Sequence, residues 1–140
     1  MKPLHDPEVA AWISKADEDM AVVVTLREHA SHLDAAICFH CQQAAEKMLK
    51  ALLVSLGEVP PHTHDLATLV ERSAVHLPIV EDLLTDATYL SPFAVLPRCP
   101  VAPSPGIEPE RLVAEVEARA RRIAETIRAL LSGTTAPRAR

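Results

Sequence analysis

The stretch ICFHCQQAAEKMLKALLVSL, residues 37 to 56, limits the fold more than any other part of the chain. An alternating strand pattern cannot sort its residues by polarity, but a helix at about 100° per residue can. Ile37, Cys38, Cys41, Ala44, Ala45, Met48, Leu49 and Leu52 then fall on one side. His40, Gln42, Gln43, Glu46, Lys47 and Lys50 fall on the other. Such a helix must bury its apolar flank against other elements, and Gly57 supplies a stop just after it.

The neighbouring segments read as helix too. Asp6 followed by Pro7 is an N-cap with proline at the first helical position. Val9, Ile13, Ala16, Met20 and Val23 then recur at helical intervals, predicting a first helix to about Ala30. Ser31 or Asp34 is expected to cap the second helix, and Thr63 or Asp65 the third, whose inner face carries Leu66, Leu69 and Val70. Pro78 restarts the chain into a helix carrying Val80, Leu83, Leu84, Ala87 and Leu90. The segment from Pro92 to Pro109 holds six of the twelve prolines and is expected to be an extended loop. A last helix from about Glu108 to Leu131 shows a stripe of Leu112, Val116, Ala120, Ile123, Ile127 and Leu130. Its outer face carries Glu115–Arg119 and Glu117–Arg121 pairs. The expectation is an all-α fold, an up-and-down four-helix bundle with a short additional helix. It would form a single domain over residues 1–132, with a flexible tail at 133–140.

Composition narrows the function classes. No apolar run approaches a membrane span, and the three cysteines do not form a disulfide framework, so a soluble cytoplasmic protein is expected. The net charge of −5 opposes nonspecific nucleic-acid binding. Residues 1–96 hold 14 acidic and 6 basic side chains, against 5 and 8 in residues 97–140, so an anion site should be local or shared between two chains. Cys38 and Cys41 bracket a histidine, but both fall in the apolar arc and no second Cys/His pair stands at metal spacing. They are read as buried thiols, with no metal and no cofactor. On the opposite flank, His40, Gln43, Lys47 and Lys50 form a polar stripe about 15 Å long. Ammonium groups beside amides suit a phosphate. Trp12 and Tyr89 are read as packing residues with a polar tip, and the acidic run around Asp17 as solvated helix surface.

The helix-2 segment followed by PHTHDLATLV resembles the HEPN domain (higher eukaryotes and prokaryotes nucleotide-binding). The matching features are His40, Gln42–Gln43, residues 44–53, residues 63–66, Tyr89 and residues 98–100, with Trp12 and KADEDM in the first helix. The resemblance spans about residues 8 to 131. It implies a helical bundle that dimerises and often acts with a minimal nucleotidyltransferase in a toxin–antitoxin-like pair. Some branches are metal-independent ribonucleases with an R-x(4–6)-H motif late in the bundle. Here Arg27 and His32 match that spacing, but at the end of the first helix, and no histidine follows Arg98.

Three functions remain open on this reading. The favoured one is a non-catalytic homodimeric module. Its stripe of His40, Gln43, Lys47 and Lys50, joined by His64, Asp65 and Arg98, would hold a nucleotide, RNA or a nucleotidyltransferase partner. The second is a ribonuclease toxin using Arg27 and His32 or residues contributed across a dimer, and the third a purely structural dimerisation or protein-interaction module.

Overall fold

The computed structural model describes residues 1–94 and 108–133. Among them are five α-helices: α1 (Pro7–His29), α2 (Asp34–Ser55), α3 (Leu66–His76), α4 (Leu84–Leu90) and α5 (Pro109–Leu131). Two 3₁₀ segments, Pro78–Leu83 and Ser91–Ala94, flank α4. The described residues contain no strand, as the sequence predicts. The single helix expected over Val80–Leu90 is instead a 3₁₀ turn followed by two turns of α-helix. Val80, Leu83, Ala87 and Leu90 nevertheless all reach the core.

Local signals set several of the boundaries. The Asp6 carboxylate accepts from the backbone N–H groups of Glu8 and Val9, satisfying donors that the first turn leaves over. Asp65 caps α3 by accepting from Ala67 N–H, and Thr63 Oγ1 accepts from Asp65 N–H. The N-terminus of α2 departs from expectation. Leu33 occupies the cap position without a side-chain bond, and neither Ser31 nor Asp34 caps the helix. At its far end, Gly57 adopts φ +86°, a left-handed conformation that most side chains resist, and Glu58 N–H returns to Leu53 O.

Helix α2 lies at the centre, packed against α1, α5, α3 and the Ser91–Ala94 turn. Ion pairs fix the direction of α1 against its neighbours. Arg27 meets Glu117 and Asp17 meets Arg128, so α1 and α5 run antiparallel. Asp19 meets His40 and Lys47, while Trp12 meets Lys50, so α1 and α2 are antiparallel as well. The core joins Val9, Ile13, Ala16 and Val23 of α1 to Met48, Leu49, Leu52 and Leu53 of α2 and to Val116, Ala120, Ile123 and Ile127 of α5. Each Val, Leu, Ile or Met side chain among these contributes about 1.5–3 kcal/mol on full burial. In α5, Val113 and Leu131 are buried where the expected stripe placed the half-buried Leu112 and Leu130. Cys38 and Cys41 are both fully buried in this core.

Candidate functional site

Because α2 is surrounded on most sides, its polar flank is only partly exposed. Of its 22 residues 15 are buried, including Gln42, Glu46 and Lys50, which the sequence placed on the outward face. This corrects the expectation for Lys50 in particular. Its ammonium lies 2.9 Å from Glu46 Oε1 and 5.7 Å from the centre of the Trp12 ring. Lys50 is therefore held inside the bundle rather than presented to an anion. Trp12 is half-buried against the core, and its ring meets this ammonium.

Two buried carboxylates organise the flank. Asp19 of α1, expected to be solvated, is 7% exposed. One of its oxygens lies 2.8 Å from His40 Nδ1 and the other accepts from the Lys47 ammonium. Glu46 is 4% exposed and accepts from four side chains. Lys50 bonds one oxygen, whereas His64 Nδ1 at 2.9 Å and the Gln42 and Gln43 amides at 3.4 Å meet the other. Gln43 also donates to Gln42 Oε1 at 2.7 Å, and Gln42 donates to the His64 carbonyl at 3.2 Å. Among the described residues, no buried side-chain polar atom lacks a partner.

This network has a vertical order. The carboxylates lie underneath, and His40, Lys47 and His64 lie above them with side chains 29%, 24% and 62% exposed. Since a carboxylate oxygen accepts, each imidazole donates through Nδ1, leaving Nε2 as the nitrogen a ligand can meet. Lys47 has three N–H donors and gives one to Asp19. The outer surface thus offers imidazole nitrogens and ammonium donors, with negative charge buried behind them.

The remaining candidates separate. Asp65 acts as the α3 cap and accepts from Thr68 Oγ1, while Ser91 Oγ accepts from Leu66 N–H beside it. Arg98 and most of the proline-rich segment, as well as the tail after Gly133, lie outside the described residues. Arg27 pairs with Glu117 and lines a cavity of about 290 Å³ with Ser31, Asp34, Glu110 and Val113. His32 is exposed in the α1–α2 turn and is not part of that lining. Of this pair, only Arg27 lines that cavity. Among the described residues no cluster of His, Cys, Asp or Glu is arranged to hold a metal ion, and no helix is long and apolar enough to cross a membrane.

Asp19 and the hub role of Glu46 were missed in the sequence. Both had a signal. Asp19 falls three residues after Ala16 and four before Val23, on the inward face of α1. Glu46 stands midway between Gln42 and Lys50, one turn from each.

The HEPN domain family model matches residues 9–132. The chain is also similar to the archaeal HEPN homologue ST0689, known from a crystal structure, at 26% identity and a TM-score of 0.65. That likeness covers 94% of this chain and 99% of the other. No curated protein sequence matches the chain.

Proposed function

Since this chain belongs to the HEPN domain family, we propose that it is a non-catalytic member that binds the phosphate of a nucleotide or an RNA end on the outer face of α2. The observation that carries this reading is the layering of the polar flank. Asp19 and Glu46 are buried and orient His40, Lys47 and His64, leaving outermost the other two N–H donors of Lys47 and the two Nε2 atoms, which donate when the imidazoles are protonated. Held donors lose little freedom on binding, which favours an anion over its hydrated state. Gln43 stands between them on the same face, its amide nitrogen held by Gln42 Oε1 and Glu46. A homodimer and a minimal nucleotidyltransferase as working partner complete the proposal, on the ground of family membership.

The experiment is thermal unfolding of the chain with and without ATP or GTP. A ligand at 100 times its Kd stabilises by about 2.7 kcal/mol, so the midpoint should rise. Lys47→Ala combined with His64→Ala should remove the rise, since both side chains stand above the carboxylates. If neither nucleotide raises the midpoint of the wild type, the phosphate reading fails. Co-purification with a nucleotidyltransferase would then favour a protein-binding module instead. RNA incubated without metal should stay intact, and cleavage lost on His32→Ala would establish the ribonuclease alternative.

A further inference from the structure

Phe39 stands in the polar flank of α2 and takes no part in holding a phosphate. At about 100° per residue it points within about 20° of Glu46 and about 40° of Gln43, in the middle of the arc that carries His40, Gln43 and Lys47. Ile37, Cys41 and Met48 lie on the far side of the same helix and are fully buried. The chain's other aromatic residues, Trp12, Tyr89 and Phe93, are half-buried against the core, whereas Phe39 is exposed. Burial in the core therefore does not account for an aromatic ring at this position.

The neighbours of the ring belong to the phosphate site. Its centroid lies 5.3 Å from that of His40, with the two planes at 79°. In such an edge-to-face contact the imidazole leaves at least one face of the phenyl ring uncovered. Asp19 holds the His40 ring through one carboxylate oxygen and the Lys47 ammonium through the other, so imidazole and ammonium are neighbours in turn. Aromatic ring, imidazole and ammonium thus follow one another on one side of α2. Aromatic rings beside cationic groups are the combination that takes an unpaired base together with its phosphates, since every base has a face that stacks. An apolar partner surface would instead strip water from Gln43 and Lys47 without replacing its hydrogen bonds.

We infer that Phe39 is the base-stacking residue of this face, so that its ligand is a nucleotide held by its base as well as by its phosphates. The base lies on the Phe39 ring, and the phosphates meet Lys47 and the outer nitrogen of His40. This inference rests on the phosphate site proposed on α2 and adds to it the residue that selects a nucleotide over other phosphate-bearing molecules.

The test is calorimetric titration of the chain with ATP, GTP and inorganic triphosphate. At least one nucleotide should bind about tenfold more tightly than triphosphate, a factor within the range of one stacked base. Phe39→Ala should bring that nucleotide down to the level of triphosphate and leave triphosphate itself unchanged, whereas Phe39→Trp should keep the nucleotide affinity. Both substitutions fall at an exposed position, and an unchanged melting midpoint without ligand checks that the variants fold. The inference is overturned if triphosphate binds as tightly as both nucleotides, or if Phe39→Ala leaves nucleotide affinity unchanged; the phosphate site stands in either case. It is equally overturned if Phe39→Ala only splits a dimer into monomers, which would mark an interface between copies of the chain. If neither the nucleotides nor triphosphate bind, the phosphate site falls and the inference falls with it.

Discussion

Glu46 spends both carboxylate oxygens on other side chains, and Lys50 depends on one of them for its only close counter-charge among the described residues. Removing one partner of a buried ion pair is much more harmful than replacing both partners by apolar groups of similar volume, because it leaves a buried charge uncompensated. Glu46→Ala should therefore lower stability by about 3–5 kcal/mol, read as a lower urea midpoint at unchanged slope. Lys50→Met should keep most of the stability, because Glu46 retains His64, Gln42 and Gln43 as donors. A loss of less than about 1 kcal/mol in Glu46→Ala would mean the pair behaves like an exposed one. The outward Nε2 atoms of His40 and His64 depend on the same principle, since a buried carboxylate fixes the other nitrogen of each ring.

At the level of elements, α1 and α2 begin in different ways. Asp6 closes two backbone donors at the start of α1, whereas α2 starts at Leu33–Asp34 with no side-chain cap. The cost of removing a cap is about 1 kcal/mol, so Asp6→Ala should show a loss of that size in chemical denaturation. Ser31→Ala should stay within about 0.5 kcal/mol of the wild type, because its hydroxyl caps nothing. A clear loss at Ser31 would show that the start of α2 depends on it. Helix α2 can dispense with a cap because packing on four elements stabilises it far more than one terminal bond. The same enclosure makes its polar flank differ from that of a surface helix. On a surface helix the charges opposite the apolar arc meet water, but here α1 and the start of α3 cover them.

For the molecule as a whole, one contact joins the turn after α2 to α3 and has a pH signature. The Glu58 carboxyl is held below its ordinary range, first by the hydrogen bond with His76 Nε2 at 3.0 Å and further by the positive charge of Arg72. A carboxyl depressed by folding adds stability that is present above its unfolded pKa and disappears as pH falls through the folded value. The stability difference between the wild type and Glu58→Gln should thus be largest near neutral pH and shrink as pH drops below about 4. Urea melts of both proteins across that range measure it, and a difference independent of pH would exclude this linkage. The helical class, most of the boundaries and the inward position of Cys38 and Cys41 were legible because they depend on period, capping and breakers within single segments. Which charges meet was not, because Asp19 and His40 are 21 residues apart and His64 and Glu46 are 18 apart. Periodicity assigns a residue to a face but does not say what lies opposite that face. The sequence by itself determined a bundle of helices and the polar make-up of the α2 flank. Only the tertiary structure decided that Lys50 is buried while His40, Lys47 and His64 remain accessible, since exposure depends on how closely neighbouring helices approach.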